Sequence, residues 1–248
     1  MFLSVDIGNT NVVFGLHNGT EWTRVWRIAT KDEAQELLAH SLDKHLDGVT
    51  VNEVAISSVV PFFTHVIKRK LSDKLKITPY LIGPDSYDAL PIEVLHPDNI
   101  GSDLVADALA AYEKYHEDCM VVDFGTALTF TIVADKKIKG VNIAPGLKTA
   151  MKALATSAVR LNEIPLELPE SVIGFDTTSA IQSGILWGYV GLVEKMIERI
   201  EKELNTKLKI IATGGLSKVL EPLQDQFDAI EPHTTLEGVR LIYLANKN

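Results

Sequence analysis

The stretch Asp6-Ile7-Gly8-Asn9-Thr10 returns in altered form at Asp123-Phe124-Gly125-Thr126-Ala127. Each copy follows a short apolar run, Phe2 to Val5 in the first and Met120 to Val122 in the second. Each is followed by a segment that reads as strand, turn, strand. After the first copy come Val12 to Leu16, a His17-Asn18-Gly19 turn and an alternating run from Trp22 to Ile28. After the second come Thr129 to Ala134, Asp135-Lys136-Lys137 and Ile138 to Ile143. Asn-Gly between apolar runs is a hairpin signal, because its central residues accept positive φ. Two loops of one design predict two related domains facing one ligand. An Asp beside Gly and Thr in a tight turn offers a carboxylate for a cation, a hydroxyl, and backbone N–H groups for phosphate. The ligand class this suggests is a nucleotide.

Commoner phosphate binders are excluded. No G-x-x-x-x-G-K-[ST] loop is present, and no G-x-G-x-x-G joins a strand to a helix; here a hairpin follows each glycine turn. The 248 residues carry a net charge of −9, which gives no electrostatic support for binding nucleic acid. Lys68, Arg69 and Lys70 form a short basic run that reads as a solvated helix face. A single cysteine, Cys119, permits no internal disulfide and fits a reducing, cytoplasmic setting. No run of 18 apolar residues occurs, so neither a membrane span nor a signal peptide is predicted.

Between the hairpins the pattern alternates α and β. Thr30 is placed to cap a helix from Lys31 to about Leu46, with Leu38, Leu42 and Leu46 at helical spacing. Glu53 to Val59 reads as a strand, Pro61 opens a helix to about Lys74, and Pro79 to Ile82 is a short strand. Pro84, Pro91 and Pro97 mark a loop, after which Leu104 to Tyr115 is helical with Ser102 as its expected cap. The second half repeats the order. It has a helix over 147–161, a long helix from Thr178 to about Leu204, a strand over Leu208–Ala212 and a last helix from about Thr235. Gly214-Gly215, after that strand, is read as opening a helix and as letting a flat ring approach the backbone. The fold class expected is α/β, with residues 1–116 and 117–248 forming two ribonuclease H-like domains and a nucleotide cleft between them.

Three glycine sites in this order resemble the sugar kinase, Hsp70 and actin superfamily. The resemblance narrows with Asp6-Ile7-Gly8-Asn9-Thr10-Asn11, Ser57-Ser58-Val59-Val60-Pro61, Gly101-Ser102-Asp103, Asp123-Phe124-Gly125-Thr126-Ala127 and Thr213-Gly214-Gly215-Leu216. Together with Ala144-Pro145-Gly146 and Ala180-Ile181-Gln182-Ser183-Gly184, these look like type III pantothenate kinase along nearly the whole chain. The resemblance implies an ATP-dependent transferase that phosphorylates the primary hydroxyl of pantothenate, the first step toward coenzyme A. It also implies Mg²⁺, a monovalent cation (K⁺ or NH₄⁺), and a homodimer.

Site residues follow from the same resemblance. Asp6 matches the Mg²⁺–phosphate position, and Asp6, Ile7, Gly8, Asn9, Thr10, Asn11, Val12 and Val13 match the ATP-binding turn, with Thr126 a further nucleotide contact. Asp103 matches the proton acceptor, Asp123 the monovalent-cation ligand, and Gly101, Ser102, Asp103, Leu104 and Thr177 the substrate-binding positions. From the residues alone, a hairpin hydrogen bond is the lesser reading of Asp6, a cap at a helix entry where the dipole keeps it ionised is the leading reading of Asp103, and Thr177 reads equally as a helix cap. The chain departs from the family where Leu104 replaces the usual Arg, Val94 stands near a family Tyr, and Val141-Asn142 replaces a Gly-Gly. Arg160 and His96 are candidates for the lost polar contact. Two alternatives stay open, a kinase of this fold for another small alcohol and a non-catalytic regulator of the Bvg accessory factor type. The long helix carries Ile181, Ile185, Leu186, Tyr189, Leu192, Val193 and Ile197, a surface that either a dimer or the domain core would satisfy.

Overall fold

The computed structural model describes residues 1–30, 34–157 and 164–247. In chain order the elements are β1 (Phe2–Ile7), β2 (Asn11–His17), β3 (Trp22–Ala29), α1 (Ala34–Leu46), β4 (Glu53–Ser58), α2 (Pro61–Leu75), β5 (Tyr80–Leu81), β6 (Glu93–Val94) and α3 (Ser102–Tyr115). There follow β7 (Cys119–Phe124), β8 (Ala127–Ala134), β9 (Lys137–Pro145), α4 (Leu147–Ser157), α5 (Thr177–Leu204), β10 (Lys209–Thr213), β11 (Ala229–Ile230) and α6 (Thr234–Ala245). The chain forms two compact units. One comprises residues 1–114, 136–138 and 234–248, the other 115–135 and 139–233.

In the first unit the sheet order is β3-β2-β1-β4-β5. β1 to β3 form an antiparallel meander, and β4 and β5 are added in parallel. Alternation sorts β1: Leu3, Val5 and Ile7 are fully buried in a core with Leu38 and Leu42 of α1 and Ile67 and Leu71 of α2. Burying side chains of this size is worth about 1.5–3 kcal/mol each. The opposite face of β1 meets α6, where the Ser4 hydroxyl donates to the Leu236 carbonyl (2.9 Å). Gly238 lets α6 lie directly on the Ala106 backbone of α3, since a Cβ there would overlap Ala106. The buried Asp107 of α3 accepts from Thr235 at 2.7 Å. The two residues of β6 pair with Lys137 and Ile138, the start of β9.

The second unit repeats the strand order as β9-β8-β7-β10-β11. β7 and β8 are antiparallel, whereas β7, β10 and β11 run parallel. Met120, Val122, Phe124, Leu128, Phe130 and Ile132 share a core with Leu186, Tyr189, Val190, Val193 and Ile197 of α5. This answers part of the expectation for the long helix, because much of its apolar stripe is used by its own unit. Asp135 (φ 51°) and Lys136 (φ 56°) make the β8–β9 turn, the positive-φ pair that a two-residue hairpin needs.

Several boundaries differ from expectation. α3 begins at Ser102, two residues early, and α5 at Thr177. Gly214-Gly215 leads into turns, and a short 3₁₀ helix follows only at Glu221–Gln226. The expected Lys31 start of α1 and the 158–161 end of α4 lie outside the described residues, as does Arg160. No helix among the described residues is long and apolar enough to cross a membrane.

Candidate active site

Asp6 stands at the end of β1, in register with Ser57 on the parallel strand β4. The next residues turn tightly, with the Gly8 N–H donating to the Asn11 carbonyl at 3.0 Å. The Thr30 hydroxyl donates to the Gly8 carbonyl at 2.8 Å, so it braces this turn. Asn9 and Thr10 at its tip are exposed, while Ile7 and Val12 are buried in the strands that hold it. The predicted ATP-turn residues 6–13 therefore form one continuous strand-turn-strand.

Ser102 does not act as the expected cap. Its hydroxyl lies 2.9 Å from the Ser57 hydroxyl and accepts from the Ser58 N–H at 3.1 Å. Ser57 in turn donates to the Asp6 carboxylate at 3.2 Å. With the Ser57 O–H donated to Asp6, the Ser57–Ser102 contact runs from the Ser102 O–H, which also lies 3.5 Å from the Ser58 carbonyl. The end of β1 and the first residue of α3 are thus tied through two hydroxyls, one residue from Asp103.

Asp103 folds back over its own entry turn. Its carboxylate accepts from the Leu104 N–H at 2.9 Å. It also lies where a Cβ on Gly101 would sit, so Gly101 is glycine because the carboxylate occupies that space. The charge behaviour differs from the expectation of a dipole-stabilised anion. Burial pushes the Asp103 carboxyl above its ordinary value, outweighing the N–H groups of Leu104 and of Asp103 itself. Tyr87 belongs to this neighbourhood. Burial and then the Asp103 charge push its phenol up to about 12. With Val94, Pro97 and Lys136, Tyr87 lines a cleft of about 380 Å³. Leu104 is half-buried and His96 exposed.

In the second unit, Asp123 ends β7 in register with Thr213 on β10 and with Thr129 on β8. Its carboxylate lies 3.3 Å from where a Gly125 Cβ would be, and a Cβ on Gly214 would overlap it and the Phe124 backbone. Gly214 has φ +88°, so both space and backbone demand glycine there. The Gly125 turn closes with its N–H on the Ala127 carbonyl (3.0 Å). The Thr126 carbonyl accepts from the Gly146 N–H (3.0 Å) and the Thr149 hydroxyl (2.8 Å) at the start of α4. The Thr129 hydroxyl is buried with no hydrogen-bond partner.

Thr177 is exposed in the first turn of α5 and is not its cap. Asp176 is: it accepts from the Ser179 N–H at 2.9 Å, and the Ser179 hydroxyl accepts from the Asp176 N–H at 3.1 Å. The segment before it exposes Val172, Ile173 and Phe175, the last 85% accessible. Sequence reading passed over Ser57 as a link, Tyr87 and Thr129. For Ser57 the signal was present, because parallel pairing of two apolar strands that each end in a polar residue sets those ends side by side.

Comparison with known proteins gives the family. Residues 2–199 match the family model for type III pantothenate kinase. The chain belongs to that family. It is 37% identical over 254 residues to the type III pantothenate kinase of Citrifermentans bemidjiense, covering all of both chains. It is 36% identical over 262 residues to that of Geobacter sulfurreducens, again at full coverage of both. Among solved structures it is similar to a putative Baf family transcriptional activator from Campylobacter jejuni (TM-score 0.60, 20% identity, 98% of each chain). It is also similar to a ROK family glucokinase from Streptomyces griseus in complex with glucose and AMPPNP (TM-score 0.53, 13% identity, 100% and 99% coverage). These structures establish the actin-like ATPase and sugar kinase fold for an enzyme whose family is a kinase family.

Proposed function

We propose that this chain catalyses the first step of coenzyme A biosynthesis by using the Asp6–Ser57–Ser102–Asp103 group to phosphorylate pantothenate. The observation that carries the residue assignment is the pair of hydroxyls linking the strand-end carboxylate to the residue before the proposed base. Asp103 accepts the proton of the pantothenate primary hydroxyl as that oxygen attacks the γ-phosphorus of ATP. The bond to the β–γ bridging oxygen breaks, giving 4'-phosphopantothenate and ADP. A carboxyl whose affinity for protons is raised by burial is a better acceptor than one in water. In the first unit the Gly8 turn, with the Thr10 hydroxyl at its tip, is assigned to the ATP phosphates, and Thr126 is assigned to the nucleotide by the family match. Thr177 is assigned to the substrate by the family match.

The Asp6 carboxylate, half-buried and held by Ser57, suits Mg²⁺, which takes few protein ligands and completes its shell with water and phosphate oxygens. Mg²⁺ would neutralise phosphate charge. Asp123, a single carboxylate between glycine turns, suits a weakly held monovalent cation, K⁺ or NH₄⁺. The two units are read as the two ribonuclease H-like halves of the kinase. Exposed Val172, Ile173 and Phe175 beside Thr177 support a homodimer, now that the core accounts for much of the apolar face of α5. A buried, lone Cys119 supports a cytoplasmic setting.

ADP release should depend on pantothenate in a coupled assay across a panel of small alcohols. Equal or greater turnover with another alcohol would reassign the acceptor, a possibility raised by Leu104 and Val94. No acceptor-dependent release with any alcohol would favour a non-catalytic regulator.

A further inference from the structure

The sheet face that carries Asp123 is separate from the apolar face packed on α5. Because β7 and β8 are antiparallel, residues directly opposite each other project to the same side. Asp123 lies opposite Thr129, and Val121 opposite Thr131. The polar positions Asp123, Thr129 and Thr131 therefore share one face, opposite to that of Val122, Phe124, Leu128 and Phe130. Thr129 is 8% accessible and Thr131 1%, and neither hydroxyl has a hydrogen-bond partner. Buried hydroxyls without partners give up their hydrogen bonds to water and gain none in return. A strand with two of them side by side is expected only where something else takes the oxygen.

The two hydroxyls differ in one respect. Thr131 faces an apolar cross-strand neighbour, whereas Thr129 faces a carboxylate. Directly opposed Cβ atoms in such a pair are about 4.5–5.5 Å apart. A cation or a water held by the carboxylate is therefore within reach of the opposite hydroxyl. The Asp123 carboxylate also lies close to two glycines: a Cβ on Gly214 would overlap it, and one on Gly125 would stand 3.3 Å from it. One carboxylate with a neutral hydroxyl is a donor set of low charge and hard oxygens. Among the described residues no group of three His, Cys, Asp or Glu side chains gathers to hold a metal ion.

We infer that Thr129 is a second protein ligand, directly or through one water, of the monovalent cation held at Asp123. The inference rests on the reading of Asp123 as the cation ligand and adds the residue that completes its shell. It makes the buried hydroxyl functional, and it predicts an unusual pair of effects for one substitution. Thr129→Val keeps shape and removes an unsatisfied group, so the cation-free protein should be at least as stable as wild type. The same change should weaken the response to the cation.

The test is thermal unfolding of the ADP-bound protein at constant ionic strength, titrated with K⁺ against Na⁺ and choline, since a ligand of the folded state raises Tm with its concentration. Wild type should be stabilised by K⁺. Thr129→Val should need roughly tenfold more K⁺ for the same rise. Thr129→Ser should respond like wild type, and Thr131→Val should keep the full response. If Asp123→Asn abolishes the response while Thr129→Val leaves it at wild-type level, the hydroxyl is served by a water unconnected with the cation. The inference then fails and the Asp123 assignment stands. If Asp123→Asn retains the response, or wild type shows none, the cation reading of Asp123 fails and Thr129 with it.

Discussion

The two glycine turns grow from the same strand order and end in the same Asp-x-Gly, yet they are held by different means. The first is held by side-chain hydroxyls: Thr30 on the Gly8 carbonyl, and Ser57 on Asp6 with Ser102 behind it. The second has one such hydroxyl, Thr149 on the Thr126 carbonyl, and otherwise relies on missing side chains. Gly214 and Gly146 bring backbone against the Asp123 carboxylate and against the Gly125 and Thr126 carbonyls, where a Cβ would overlap. Closure differs too, at the third residue after Gly8 and the second after Gly125. The lesson is that a duplicated fold need not duplicate its chemistry. A hydroxyl-held carboxylate is part of a polar chain that leads toward the proposed base. A carboxylate set against two glycines is placed by close backbone approach, and it is the one proposed to serve the cation.

The largest expected effect tests the polar chain of the first unit. Asp103→Asn should keep the fold and nucleotide affinity while turnover falls roughly 10²–10⁴-fold, the range for a positioned base. Asp6→Asn should also weaken Mg²⁺-ATP binding, because it removes the charge beside the phosphates. Isothermal titration with an ATP analogue and kcat at saturating ATP and pantothenate separate the two. Wild-type turnover in Asp103→Asn would leave the first unit without its catalytic centre.

Next in size is the steric argument. Gly214→Ala combines overpacking, roughly 1–3 kcal/mol, with a left-handed backbone, roughly 1–2 kcal/mol. Gly8→Ala should cost far less. Its Cβ would stand 3.3 Å from the Asn11 carbonyl, and its φ is not in the left-handed region. Urea denaturation of both variants should rank them in that order. Equal losses would mean that the two turns are built alike after all.

Ser57→Ala should cost roughly 1–3 kcal/mol, because it removes the hydrogen bond to the Asp6 carboxylate and the contact with the Ser102 hydroxyl. Chemical denaturation would measure the stability term. A kcat loss larger than the change in KM for ATP would show the link acting on the geometry of α3. A neutral result would make the hydroxyl chain incidental.

How far the fold could be read from sequence differs between elements. Strand alternation and the Asn18-Gly19 turn gave the hairpins, since burial on one face forces a period of two. The strands were legible for that reason, the long helix from its apolar residues at helical spacing, and the parallel additions from the fold that the family resemblance implies. The end of the glycine strand was not. Gly214 looked like a helix opening, but a residue at φ +88° pressed on Asp123 serves a contact distant in sequence, which local pattern does not encode. Ser102 looked like a cap because cap and network residues are the same types. The candidate carboxylates Asp6, Asp103 and Asp123 stand near strand or helix ends, positions that the local pattern marks. Their partners Ser57, Tyr87 and Thr129 depend on register between strands or on packing.

The smallest effect concerns the two helix starts, and it reverses a sequence expectation. Asp176 caps α5 in the open, and the Ser179 N–H lowers its pKa. Asp103 sits in the first turn of α3 with its pKa raised by burial. The dipole favours the anion at both, but at Asp103 the loss of water outweighs it. The sign follows from proton binding. A carboxyl with a raised folded-state pKa binds protons more tightly in the native protein than in the unfolded chain. Its contribution is therefore most favourable below the ordinary carboxylate value, and stability is lost as pH rises from there through the folded-state value. Asp103→Asn removes that loss, so the variant should unfold at higher urea than wild type at neutral pH, and the difference should shrink as pH falls toward the ordinary carboxylate range. Asp176→Asn should show the opposite slope: wild type gains over the variant as pH rises through the lowered folded-state value toward the unfolded one. Urea midpoints for both pairs across that range decide the matter. If Asp103→Asn is less stable than wild type at neutral pH, the Leu104 hydrogen bond outweighs burial, and the carboxylate rests at this helix start as comfortably as it does at α5.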